Sequence, residues 1–271
     1  MNLETQDQKP EIPLSLDEVG ITDFRTQISI TRGTKIYRYT TNITVVINLP
    51  RSKKGAHMSR FIESIAEILS TKIGSFYSLE EMSIQVLEEL NSRHPFKTGS
   101  VVLDFDFFTP RITPVSKRKT IENYRGRLCT TWNNGNVTHQ LSLGTFGSTA
   151  CPHALKKSKG KRTHIQRAYA EVTVVGITSE IPDMENISKI LDESFSAPSF
   201  SLLKSEDEQW VVDKMYNNPL FVEDVTRNIL KKMEKTFSNK VLEITAKTTS
   251  QESIHKHNVI SKGTTSTKNE N

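Results

Sequence analysis

Two blocks of strands and paired helices follow one another along this chain, one on each side of the turn-forming Asn133-Asn134-Gly135-Asn136. In the first block, Tyr37 to Leu49 is rich in β-branched and aromatic residues and reads as a strand that Pro50 ends. Phe61, Ile65, Ile68, Leu69 and Ile73 then recur at helical spacing, and Ser78 with Glu81 makes the capping box of a second helix. Ser100 to Pro110 and Glu122 to Thr131 read as two further strands. In the second block, Val137 to Phe146 and Ile165 to Thr178 read as strands, Met184 to Phe195 and Glu208 to Lys235 as helices, and Asn239 to Thr249 as a strand. The repeat is one of element order and not of residues. It predicts an α+β chain of tandem modules over 21–132 and 133–260, with a single α+β domain as the alternative. The polar ends lack periodicity, so 1–20 is expected to be disordered or extended and 261–271 to be a disordered tail.

The longest apolar stretches, such as Ile43 to Leu49 and Val172 to Ile177, fall far short of the ~18–20 residues that span a bilayer. The first residues are polar and acidic where a signal peptide would be basic and then apolar, which leads us to expect a cytoplasmic protein without a membrane partner. Cys129 and Cys151 are too few for a disulfide scaffold and read as thiols. A net charge of +5 favours anionic partners without choosing among them.

Residues able to carry chemistry gather in the second block: Cys151, His153, His164, Glu208, Glu223, His255 and His257. Thiolate, imidazole and carboxylate together suit zinc or ferrous iron. Taken singly, a cysteine is more often a small core residue and a histidine a surface one. Cys151, however, stands in Thr-Ala-Cys-Pro-His after Gly144 and Gly147, outside any apolar repeat, and His164 opens the strand that follows. His255 and His257 alternate and would share one face of a strand. The basic stretch Lys156 to Arg162, with Arg167 beyond it, is either a solvated turn or a grip on phosphates. Lys53, Lys54, His57, Ser59 and Arg60 stand at a strand-to-helix junction, where helix N–H groups and cations favour anions. No Walker loop or Gly-x-Gly-x-x-Gly fingerprint occurs.

The segments KGAHMSRF, TACP, THIQRAYAEV, YNNPLFVEDVTR and ESIHKHN, in this order, closely resemble the GTP cyclohydrolase IB family and its archaeal methanopterin-type relatives. TPVSKRKT with TACP looks more like the archaeal branch. The resemblance implies tandem tunnelling-fold (T-fold) modules with antiparallel sheets and paired helices, assembled as a homodimer or homotetramer with active sites at subunit interfaces. It implies GTP as substrate, hydrated at C8, with formate released and a 7,8-dihydroneopterin 2′,3′-cyclic phosphate formed. Carried over by motif, Cys151, His164, Glu208 and His255 become metal ligands, for Fe(2+) or alternatively Zn(2+) or Mn(2+), and Cys151, His257 and His153 the catalytic group. Glu223 would pair with the guanine edge, and His57, Ser59, Arg60 and Arg167 would contact substrate. The chain departs from the family at His153, where a second cysteine is usual, and in its lysine-rich loop. Alternatives are the folate branch giving the triphosphate, a metal-free tunnelling-fold nitrile reductase, and a nucleic-acid-binding protein. The last finds no recognisable binding motif or interleaved aromatics, so no nucleic-acid partner is expected.

Overall fold

The computed structural model describes residues 4–32, 34–71, 76–176, 183–237 and 241–266. Ile73, the strand ends at 177–178 and 239–240, and the final five residues lie outside this set. The chain divides into two compact units, residues 1–106 with 127–140, and residues 107–126 with 141–271.

In the first unit, β1 (Leu16–Arg32) pairs antiparallel with β2 (Lys35–Leu49), and β2 pairs antiparallel with β3 (Thr98–Ile112) from Thr41↔Phe105 to Ile47↔Gly99. Along β2 and β3, Ile43, Val45, Ile47, Val101, Leu103 and Phe105 alternate inward, as a half-buried sheet requires. Phe61, Ile65 and Ile68 of α1 (Met58–Thr71) and Met82, Val86, Leu87 and Leu90 of α2 (Leu79–Arg93) are also buried. Each such side chain contributes ~1.5–3 kcal/mol by leaving water. The expected capping box is present at α2: Ser78 Oγ accepts from the Glu81 N–H at 3.1 Å, and the Glu81 carboxylate accepts from the Tyr77 N–H at 2.8 Å.

The remainder of β3, the start of β4 (Lys119–Asn133) and most of β5 (Asn136–Ala150) belong to the second unit. There a short helix α3 (Pro152–Lys157) leads to β6 (Ile165–Gly176), then α4 (Met184–Asp192) and a two-residue strand β7 (Ala197–Pro198) that pairs with β5. Helices α5 (Ser205–Asn217) and α6 (Val222–Phe237) follow, and β8 (Glu243–Gln251) and β9 (Val259–Ser266) close the strand order β5-β6-β8-β9. Ile187 and Leu191 of α4 and Val225, Ile229 and Met233 of α6 are buried, as are Val172, Val174, Ile244 and Ala246 of β6 and β8. The architecture is the α+β one expected, with antiparallel strand pairing throughout the pairs described above. No helix among the described residues is long and apolar enough to cross a membrane.

The C-terminal end differs from expectation. Leu16 to Arg32 is a long strand, and residues 261–266, expected as a disordered tail, form most of β9 against β8. Both are edge strands of their units' sheets; β1 buries Ile28 and Ile30 at alternate positions, whereas β9 has no buried apolar residue and is held by its pairing with β8. Thr5 to Asp7 form a 3-10 turn where a disordered or extended segment was expected.

Candidate functional site

Cys151 follows β5 directly and caps α3, whose Pro152 occupies the first helical position. The Cys151 N–H donates to the His164 carbonyl at 3.2 Å, and Thr163 Oγ1 donates to the Cys151 carbonyl at 2.6 Å. Two sequence-predicted ligands thereby become neighbours across the loop they bound. The Ala154 N–H donates to Cys151 Sγ at 3.4 Å. His164 Nδ1 lies 2.9 Å from Gln166 Oε1, an arrangement in which an Nδ1–H tautomer donates to the amide oxygen and leaves Nε2 as a lone-pair donor. Both Cys151 and Cys129 are free thiols, as expected.

Helix α5 brings Glu208 toward the same place. Its Val211 and Met215 pack with Ala150, Ala197 and Ile165, the residues next to Cys151 and His164. Glu208 precedes Val211 by three residues and Met215 by seven, so it lies on the same helical stripe with its side chain exposed. Asp207 anchors the start of this helix: its carboxylate accepts from the Val115 and Ser116 N–H groups at 2.8 and 2.9 Å, and from the Lys204 N–H at 3.0 Å. Burial alone would raise the Asp207 pKa. The Ser116 hydroxyl and these three N–H groups override it and hold the carboxyl below the usual range.

His255 and His257 lie in the bend between β8 and β9 and not on a strand; their rings stack with centroids 5.1 Å apart. Because β8 runs antiparallel to β6 with Gln251 opposite Arg167, this bend leaves β8 at the end where His164 enters β6. Cys151, His164, Glu208 and His255 therefore share one end of the second unit. Their ligand atoms do not form a group within 4.8 Å among the described residues. His153 is exposed on α3, and the lysine-rich turn is exposed too, folded around Ser158 Oγ with Lys159 and Gly160 at positive φ.

The polar residues that hold this end in place have no signal in the sequence. Buried Ser196 Oγ accepts from the Ala150 N–H at 3.2 Å and the Leu220 N–H at 3.1 Å, joining the residue before Cys151 to the loop before Glu223. Asn218 Nδ2 donates to the Phe195 and Ser196 carbonyls, fixing the same loop. Glu223 itself is exposed in the first turn of α6. A cleft of about 370 Å³ in this unit is lined by Glu122, Arg125, Phe146, Arg167, Tyr169 and Ser201, among others. The Arg167 guanidinium lies 3.8 Å from the centre of the Phe146 ring, and Glu122 is held by the Ser201 N–H and hydroxyl. A Cβ at Gly144 would stand 2.2 Å from the Tyr169 hydroxyl, so only glycine admits that ring. The signal for this cleft was present in Arg167 alone.

In the first unit the KGAHMSRF segment is folded differently from a bare anion site. His57 is only 6% exposed, with Nδ1 2.8 Å from the Glu4 carboxylate and Nε2 3.4 Å from that of Asp7, which also meets Lys53. Arg60 donates to the Arg93 carbonyl at 2.8 Å, and Ser59 is exposed.

The family model for type I GTP cyclohydrolase folE2 matches residues 3–261. The chain is 39% identical to a GTP cyclohydrolase MptA of Pyrococcus abyssi (strain GE5 / Orsay), over 96% of this chain and 98% of that protein. It is 40% identical to one of Thermococcus kodakarensis, with the same coverages, and 30% identical to one of Methanococcus aeolicus, over 95% and 94%. Among solved structures it is similar to uricase from Arthrobacter globiformis, with TM-score 0.57 and 10% identity over 92% of this chain and 93% of that one. A urate oxidase mutant from Bacillus sp. TB-90 gives 0.53 at 8% identity, over 93% and 99%. At such identities the likeness shows the fold alone, an antiparallel α+β tunnelling fold as expected.

Proposed function

We propose, from the premise that this chain belongs to the type I GTP cyclohydrolase folE2 family, that it opens the guanine imidazole ring of GTP at C8, releases formate and yields 7,8-dihydroneopterin 2′,3′-cyclic phosphate. It is a GTP cyclohydrolase of the methanopterin-type branch, to which its MptA relatives belong. The observation that carries the finer reading is the convergence of Cys151 and His164, hydrogen-bonded through their backbones, with the Glu208 stripe of α5 packed beside them.

The family is metal-dependent, and the residues fit a metal. A thiol and an imidazole with its Nδ1 already engaged by Gln166 offer a borderline-soft pair, to which Glu208 and His255 would add harder and borderline donors. A divalent metal bound there supplies Lewis acidity, which makes water nucleophilic near neutral pH. Fe(2+) is the metal of this reading, with Zn(2+) and Mn(2+) as substitutes.

The remaining work falls to the chain. Glu223, exposed at the start of α6, accepts from the N–H groups of the guanine edge and sets the orientation of C8. The exposed lysines of the turn after α3 pair with phosphate oxygens. Arg167, stacked on Phe146, presents a planar cation to the cleft. His257 and His153, both exposed, carry protons to and from the opening ring. Glu208, Glu223, His255 and His257 are all open to solvent in the single chain, which suits a site completed by a second subunit in a homodimer or homotetramer.

Anaerobic incubation of the purified protein with Fe(2+) and GTP tests the reading. Formate and a product with the mass of the cyclic phosphate are expected; an intact triphosphate would move the protein to the folate branch, and unchanged GTP would refute the proposed activity.

A further inference from the structure

We propose that Glu4, Asp7 and His57 form a second, thiolate-free site for a divalent cation of the zinc class, which fastens the N-terminal segment to the start of α1. The site lies within the first unit, whereas Cys151 belongs to the second, and it stands whether or not Cys151 binds metal.

The backbone sets the two carboxylates side by side. Glu4 caps the 3-10 turn Thr5–Asp7, and the Asp7 N–H donates to the Glu4 carbonyl at 3.0 Å. A 3-10 turn has three residues per turn, so residues three apart eclipse and the two carboxylates face the same way. The Lys54 N–H donates to the Gln6 and Gln8 carbonyls at 3.0 and 2.8 Å, and the Gly55 N–H to Gln6 at 3.2 Å, which seats the turn against the segment carrying His57. The three side chains offer ligand atoms that all lie within 4.8 Å of one another, the group of metal-ligand type found among the described residues.

The second observation is His57 itself. It is 94% buried by its 6% exposure, and its Nε2 has no hydrogen-bond partner although it points at Asp7 Oδ2, 3.4 Å away. A buried nitrogen left without a hydrogen bond is costly, so such atoms ordinarily find a partner. Two ligand atoms each ~2.1 Å from a tetrahedral ion stand ~3.4 Å apart, which is the separation these two atoms show. Glu4, with 66% of its side chain exposed, can swing to supply a third donor, and water the fourth. Lys53 meets the other Asp7 oxygen, Oδ1, and leaves Oδ2 to the ion. Glu4 and Lys53 are thus accounted for by direct contacts, whereas Nε2 meets Asp7 Oδ2 only at 3.4 Å, longer than an ordinary hydrogen bond.

Co(2+) titration of the full chain separates this site from the other. Cys151→Ser protein is expected to bind one Co(2+) with visible d–d bands and no sulfur charge-transfer band. Adding Asp7→Asn should weaken that binding on the order of 100-fold, with Glu4→Gln giving a smaller loss and Asp7→Glu restoring part of it. Circular dichroism checks that each variant folds. Cys151→Ser protein that binds no Co(2+), or binding indifferent to Asp7→Asn, overturns the proposal. Wild-type protein that lacks the charge-transfer band while keeping the Asp7-dependent ion would refute the Cys151 reading and support this one.

Discussion

The two units use histidine in opposite ways. In the first, His57 and His139 are almost wholly buried; His57 is enclosed by two carboxylates, and His139 Nδ1 lies 2.8 Å from Thr130 Oγ1. In the second, His164 is half-buried and oriented by one amide, while His153, His255 and His257 are open to solvent. Enclosed imidazoles hold chain segments together, directly or, as proposed for His57, through an ion, whereas oriented but open ones can reach substrate and exchange protons with it. The difference teaches that donor chemistry alone does not mark a reactive site; what marks it is donors held in place, open to solvent and with one lone pair left free.

The sharpest way to break this contrast is Cys151→Ala. If the second unit is the reactive one, formate release should fall on the order of 1,000-fold while thermal stability changes little, because Cys151 is only half-buried. Activity within tenfold of wild type would move the chemistry elsewhere. In the first unit the expected effect is on stability. Burial pulls the His139 pKa down to about 4, below its unfolded value of ~6.5. The unfolded chain therefore binds the proton more readily across that window. Stability is fully present above about pH 6.5 and falls as pH drops toward 4, by roughly 3 kcal/mol from this group. Denaturant unfolding of wild type and His139→Asn at pH 7 and pH 4.5 measures it, and an equal pH dependence in the two proteins would show that His139 is not the acid-sensitive group.

What could be read from the sequence was what is local. The Ser78 and Glu81 cap, the buried stripe of α1 and the inward alternation of β2 all depend on neighbours within a few residues, and each is present. The edge strand β9 was not legible, because an edge needs backbone partners more than apolar side chains. At the site, Cys151, His164, Glu208 and His255 were reached by resemblance, and the structure adds what places them at one end. That placement depends on Asp207 holding Ser116, and on Ser196 holding Ala150 and Leu220, pairs far apart in sequence. Glu4 and Asp7 were assigned to a disordered or extended end because a residue that holds them, His57, lies in another segment.

A smaller effect sharpens the idea that the open histidine is oriented. Gln166→Leu removes the amide oxygen facing His164 Nδ1 and adds no charge, so metal affinity should fall about 10–100-fold with the fold intact. Equilibrium dialysis measures the change; unchanged affinity would mean that the ring is positioned by packing alone.

The smallest expected effect is also the one that tests how the second unit is tied together. Ser196→Ala removes the acceptor shared by the Ala150 and Leu220 N–H groups and leaves two donors short of a partner, at a cost of roughly 2 kcal/mol. If Ser196 only stabilises the fold, the melting temperature drops and the folded protein keeps its kcat/KM. If it aligns Cys151 with the loop that presents Glu223, kcat/KM for GTP should fall about tenfold at temperatures where the variant is fully folded. Both reacting ends depend on that one oxygen, so metal affinity and KM should weaken together in this variant. In Cys151→Ala the loss should instead fall on metal binding and kcat, with KM little changed, because the Glu223 loop is left intact.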